Sequence, residues 1–333
     1  MSNIPGAPVH FREIFKPKVW GGRRMEQVLG KRLPPNKPIG ESWEVSDHPN
    51  GVSSVDEGEL AGTTLRALVE ADEAGLVGRR GVLEVGGRFP LLFKFIDATE
   101  YLSVQVHPDD AYAAGHEKGD PGKSEAWYIL YAEPGARIGV GLTGRMTREE
   151  FAEAVESGAA DELLRFIDVK RGDVIDIPAG TLHALGPGIV LAEIQQNSDA
   201  TYRVFDWGRA GLDGKPRDLH IEKALDVIDF GMIDAAPAKP RVLSERGPRH
   251  ERLIANVKFT FDRYLSDAPF EVTPAELKSF VMIACIGGRA ELSFPGGRGA
   301  IELGQTLLLP ATLSRLKIEP RPSVELLAMS RPV

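Results

Sequence analysis

The sequence predicts a mainly β protein built as two related β-barrels, with a few helices inserted in and around the first. Two observations carry this expectation. First, strand-length apolar stretches bounded by Gly and Pro recur along the chain, and 36 Gly and 24 Pro in 333 residues suit a turn-rich β protein. Second, Gly172-Asp-Val-Ile-Asp-Ile-Pro178-Ala179 echoes Gly304-Gln-Thr-Leu-Leu-Leu-Pro310-Ala311, and the turn Gly135–Ile138 echoes Gly288–Glu291. The echoes are offset by 132 and 153 residues, a difference about equal to the segment 147–167, so the first barrel is expected to carry a helical insertion there.

Taken in chain order, the expected strands are Phe89–Ile96, Tyr101–Val106, Ala126–Tyr131, Val174–Ile177, Ile189–Ile194, Val257–Tyr264, Phe280–Ile286 and Leu307–Leu309. Many short strands at this spacing indicate a sandwich or barrel. Three helices are expected. Thr64–Glu73 has helical spacing. Thr147–Ile167 opens on a Thr147/Glu150 capping-box pattern and is interrupted at Gly158. Asp218–Phe230 places Ile221, Ala224, Leu225 and Ile228 on one face. The polar, Pro-rich stretch 234–249 reads as a linker, which divides the chain into 1–233, carrying the metal-binding barrel, and 250–333, a second, metal-free barrel.

Composition narrows the function classes. Forty basic against 48 acidic residues give a net charge of −8, which supplies no broad basic surface for nucleic acid. The only cysteine, Cys285, lies in an apolar run and reads as core, so no internal disulfide forms. No signal pattern or membrane-length apolar run is present, and a cytoplasmic, non-membrane protein, monomer or homodimer, is expected.

The candidate chemistry centres on a metal. His183 follows a strand, Pro178 and Gly180, which suits a ligand at a barrel mouth; a hydrogen-bonded core histidine is the competing reading. Gln105 and His107, two apart in an extended run, face one side, as metal donors or as outward polar residues. Glu125 opens an apolar strand and is either solvated or the anionic ligand. Together they form a two-His, one-carboxylate, one-amide set with an open position, suited to zinc, iron or manganese. In the second echo Arg315 stands where His183 stands in the first, so that half is expected to lack the site. Lys94 interrupts the run Leu91–Ile96 and is either a buried functional cation or an outward strand residue. His10, His48, His116, His220 and His250 read as surface residues.

The segments Lys18-Val-Trp-Gly-Gly22, Gly40-Glu-Ser-Trp-Glu-Val-Ser46, Phe89–Lys94, Gln105-Val-His-Pro-Asp109, Lys123–Trp127, Gly172–His183 and Glu193–Arg203 occur in order. On these the chain resembles the type I phosphomannose isomerases of the cupin superfamily, in the compact bacterial form, over roughly residues 11–230. The resemblance implies cupin-type jelly-roll barrels, one zinc ion per chain on Gln105, His107, Glu125 and His183, and a phosphosugar substrate. It also implies catalytic roles for Arg203, Lys123 and Glu193, with Lys123 and Glu193 both open as the base, and phosphate binding by Lys94 and Arg203. Arg203 as a salt-bridge partner of Asp199 or Asp206 is the alternative. The implied reaction interconverts mannose 6-phosphate and fructose 6-phosphate through an enediol. A cupin dioxygenase using iron, or a non-catalytic sugar-phosphate-binding protein, are the competing functions.

Overall fold

A computed structural model of the chain describes residues 6–79, 83, 85–233 and 236–332. The architecture is mainly β. A six-stranded sheet runs in the order Val174–Ile177, Glu125–Ala132, Ile189–Gln196, Leu91–Ala98, Ile14–Gly22, Ile39–Val45. A five-stranded sheet runs Leu164–Asp168, Arg137–Leu142, His183–Leu185, Val104–Val106, Tyr202–Phe205. Ile96, Trp127, Ile129, Ile175 and Leu191 of the first sheet share one core with Ile138, Val140 and Leu185 of the second, so the two sheets pack face to face. Both sheets stay open, and no hydrogen-bonded ring closes a barrel among the described residues.

The middle strands Leu91–Ala98 and Ile189–Gln196 are buried along their whole length because both of their faces are covered. In Ile189–Gln196, Ile189 and Leu191 face the inter-sheet core, while Val190, Ala192 and Ile194 face a second core on the other side. That second core continues into the C-terminal half through Phe259, Phe261, Phe280, Met282, Leu327 and Met329. The rings of Phe89 and Phe280 meet at 4.4 Å across the junction. The C-terminal half is a nine-stranded antiparallel sheet whose longest strands are Val281–Phe294 and Leu316–Ser330. Its edge is completed from the far end of the chain, where Val9–His10 pairs with Leu307 and Leu308. Cys285 is buried within this half. The stretch read as a linker contributes the edge strand Arg241–Ser244, and its residues 234 and 235 lie outside the described residues. No helix is long and apolar enough to cross a membrane.

The expected helices form in shortened versions. Thr64 caps Leu65–Ala71, accepting from Ala67 N–H. The Thr147/Glu150 capping box forms with both of its bonds, but the helix spans only Arg148–Glu156. Gly158 turns the chain at φ +83°, and Leu164–Asp168 becomes a strand paired to Arg137–Leu142, where the sequence reading continued the helix. The third helix is Ile221–Val227. The two sequence echoes adopt one local geometry. Gly172 and Gly304 take φ of +91° and +83°, and each precedes a four-residue strand, Val174–Ile177 and Thr306–Leu309.

Candidate metal centre

Two sheets deliver four donors to one point. Gln105 and His183 are paired across adjacent strands of the five-stranded sheet, and His107 lies two residues beyond Gln105 on the same side. Glu125 comes from the opposite sheet. The turn that presents His183 depends on Gly180, whose φ is +88° and whose N–H donates to the His107 carbonyl at 2.9 Å. A Cβ at Gly180 would also sit 3.0 Å from the Val227 carbonyl oxygen.

His107 Nε2 and His183 Nε2 each lie 3.4 Å from a Glu125 oxygen, and the three donor atoms fall within 4.8 Å of one another. All three side chains are buried. Gln105 Nε2 is 3.1 Å from His183 Nε2.

The donor set fits a divalent metal. His107 Nδ1 contacts the Ala200 carbonyl and His183 Nδ1 the Thr181 carbonyl, both at 2.9 Å. Those contacts place the ring protons on Nδ1 and leave each Nε2 lone pair facing the centre. Glu125 Oε1 receives no hydrogen bond among the described residues, and Oε2 has the Lys123 ammonium at 2.6 Å. A half-turn of the Gln105 amide presents its carbonyl oxygen to the centre and its NH2 to the Ser103 hydroxyl, now 3.1 Å from Oε1.

Electrostatics hold the donors in their ligating forms. Burial, reinforced by the Lys123 ammonium, pushes His107 down to about 3. Burial also lowers His183, against the pull of Glu125. For Glu125 burial acts upward, yet Lys123 and His107 hold the carboxyl well below its ordinary range. Lys123 Nζ lies 2.6 Å from Glu125 Oε2 and 3.0 Å from His107 Nε2.

A second polar row borders the donors. Along the six-stranded sheet, Trp43, Lys94, Glu193 and Trp127 are successive cross-strand partners on one face. Lys94 therefore points between the sheets and does not face outward. Its Nζ is 3.0 Å from Glu193 Oε1, and Glu193 Oε2 accepts from the Trp127 indole at 2.8 Å. Burial and the field of Glu125 raise Glu193 despite Lys94. Lys94 itself is raised: burial opposes its charge, but Glu193 and Glu41 outweigh it.

Arg203 pairs in register with Gln105, so it shares the centre's side of its strand. Nη1 donates to the Asp218 carbonyl at 2.7 Å, while the buried Nε has no partner. Neither proposed carboxylate partner takes it. Asp206 is held by Arg209 and Arg217, and Asp199 accepts from Asn50. Arg315 lies at the surface, 3.7 Å from Glu271.

Sequence reasoning missed two features of this region. Glu41 accepts from the Trp43 indole at 2.6 Å and pairs with Lys18 at 3.1 Å. Burial works upward on its carboxyl, but Lys94 and Lys18 bring it down to about 2. The alternation within Gly40-Glu-Ser-Trp-Glu carried the signal, since it puts Glu41 and Trp43 on one face. His48, read as a surface residue, is buried: its Nε2 meets Asp120 at 3.0 Å and its Nδ1 accepts from Asn50 N–H. A cavity of about 660 Å³ between segments 7–10, 57–60 and 292–300 contains none of the residues proposed for the site.

Comparison with known proteins places this geometry. Residues 9–126 match the catalytic-domain model of type I phosphomannose isomerase. A mannose-6-phosphate isomerase of Streptococcus mutans is 37% identical over 306 residues, covering 92% of this chain and 93% of the relative. The crystal structure of the Bacillus subtilis mannose 6-phosphate isomerase aligns at a TM-score of 0.88 and 34% identity, covering 97% of this chain and 99% of that one. A mannose 6-phosphate isomerase bound with zinc and yttrium shares the fold at a TM-score of 0.75 and 18% identity, over 98% and 100% of the two chains.

Proposed function

This chain belongs to the type I phosphomannose isomerase family, and from that membership we propose how its buried donors serve the reaction. Its activity is the reversible interconversion of mannose 6-phosphate and fructose 6-phosphate, an aldose–ketose isomerisation. The observation that carries the proposal is the convergence of two neutral histidines and an anionic glutamate from facing sheets.

Gln105, His107, Glu125 and His183 would hold one zinc ion, an assignment supported by the imidazole–carboxylate chemistry and by the zinc in the fold relative. Such an ion supplies Lewis acidity toward the oxygens on C1 and C2, where negative charge develops.

The chain's own residues do the rest. Isomerisation removes the C2 proton and returns it at C1 through an enediol. Lys123 Nζ touches two of the donor atoms and is the group we assign to this transfer: as the neutral amine it takes the C2 proton, and as the resulting ammonium it returns one to C1. Glu193 has one oxygen against Lys94 and the other on the Trp127 indole, so its role is to fix the Lys94 ammonium. Lys94 and Arg203 are the cations for the phosphate, Lys94 as a point charge and Arg203 as a fork. Residues 250–333 act as a buttress behind the six-stranded sheet through the core they share with it.

A coupled assay tests this reading. With mannose 6-phosphate, fructose 6-phosphate forms without oxygen uptake, and a chelator abolishes its formation. Full activity in excess chelator would remove the metal from the reaction.

A further inference from the structure

A buried glutamine next to the donors has no role in the chemistry derived above. Gln195 is cross-strand partner to Glu125, so both side chains lie on the same face of the six-stranded sheet. The pairing closes with the Gln196 N–H donating to the Ser124 carbonyl at 3.2 Å, next to Lys123. Gln195 thus lies opposite Glu125 and one diagonal step from Lys123, two residues before that glutamate.

The Gln195 side chain is 1% exposed and its orientation is fixed. Its NH2 donates to the Gln196 carbonyl at 2.9 Å and the Ser198 carbonyl at 2.5 Å. Both donors are spent on carbonyls, so Oε1 faces the other way, buried and without a donor. Asn197 is fully buried and its Oδ1 has no partner either. A buried unpaired acceptor is costly, and two on one strand end are not expected without a use.

The neighbouring donor is the Lys123 ammonium, which touches His107 Nε2 and Glu125 Oε2. The imidazole Nε2 has one lone pair, so it cannot serve an ammonium and a metal ion together. We propose that Gln195 is a positioning residue for Lys123: its Oε1 receives the ammonium when His107 and Glu125 are given to the metal. The proposal rests on the assignment of His107 and Glu125 as ligands. Gln195 keeps the lysine from competing for the donors and holds Nζ beside the reacting carbons.

Zinc affinity, read by competition with a chromophoric chelator on the full chain, tests this without reference to turnover. Gln195→Met weakens zinc binding about tenfold, the lower end of what outer-shell substitutions cost metal sites. In a Lys123→Met background the same change alters affinity less than about twofold, because the competing ammonium is gone. Equal weakening in both backgrounds, or no weakening in either, overturns the proposal. A wild-type chain that binds no zinc at all indicts the ligand assignment instead. Should Gln195→Met fail to fold, a crystal structure of the zinc-loaded wild type decides. Lys123 Nζ is expected within hydrogen-bond distance of Gln195 Oε1, and an ammonium turned to solvent overturns the proposal.

Discussion

Replacing Lys94 by Met should destabilise the protein in a pH-dependent way that exposes the buried Lys94–Glu193 pair. Both side chains are under a tenth exposed, and Glu193 keeps only the Trp127 indole once the ammonium is gone. Stranding a buried carboxylate costs about 3–5 kcal/mol when the charge persists. Glu193 escapes that cost by protonating, and burial with the field of Glu125 already raises it. A carboxyl raised in the folded state is protonated more readily there than in the unfolded chain. The variant is therefore hardly penalised below the unfolded value near 4, and the penalty grows with pH up to the folded value. The growth is about 1.4 kcal/mol per pH unit until the full cost is reached. Urea denaturation of wild type and variant at pH 5 and pH 8 reads this directly. The expected gap is about 3–5 kcal/mol at pH 8 and clearly smaller at pH 5. Adding Glu193→Gln to the variant should recover much of the loss at pH 8. A gap independent of pH, or no recovery in the double variant, would refute the buried-charge reasoning and leave only lost packing.

Other expectations follow from the centre. His183→Ala should lose zinc and activity together while its circular dichroism remains that of a folded β protein; stoichiometric zinc in the variant, measured by atomic absorption, would remove His183 from the ligand set. Arg203→Ala should keep zinc and lose kcat/KM by about 10- to 10²-fold, as for loss of a charge-assisted hydrogen bond to the phosphate; near-normal kcat and KM would place Arg203 outside the site. Without metal, His107 also makes folding acid-sensitive: its folded value is about 3, so the unfolded chain binds the extra proton between that value and about 6.5. Stability should fall as the pH falls across that window, and His107→Gln, which cannot titrate, should flatten the slope in denaturation of the metal-stripped protein from pH 4 to 7. Thr147→Ala should cost about 1 kcal/mol through the lost cap, seen by urea denaturation.

The residues that converge at the candidate centre stood out in the sequence because each lies beside a strong local signal. Gly180 before His183, the two-residue spacing of Gln105 and His107, and Glu125 at the mouth of an apolar strand are all short-range features. The Thr147 cap was legible for the same reason, but the end of its helix was not. Leu164 and Phe166 become strand residues by pairing with Leu142 and Gly139, a partner strand that local propensity does not reveal. Lys94 stood out as a cation in an apolar run, yet its direction depends on Glu193 falling opposite it, which is a matter of register between distant strands. His48 looked like a surface residue because Asp120, its partner, is 72 positions away. The strand Val9–His10 has two residues and no pattern of its own; only Leu307 and Leu308 make it part of the C-terminal sheet.

Activity as a function of bound zinc is the most direct test of the claim that one metal ion on these four donors serves the isomerisation. Protein stripped by chelator and titrated with zinc should gain mannose-6-phosphate isomerase activity linearly and level off at one ion per chain. Full activity in the stripped protein, or a plateau at any other stoichiometry, would contradict it.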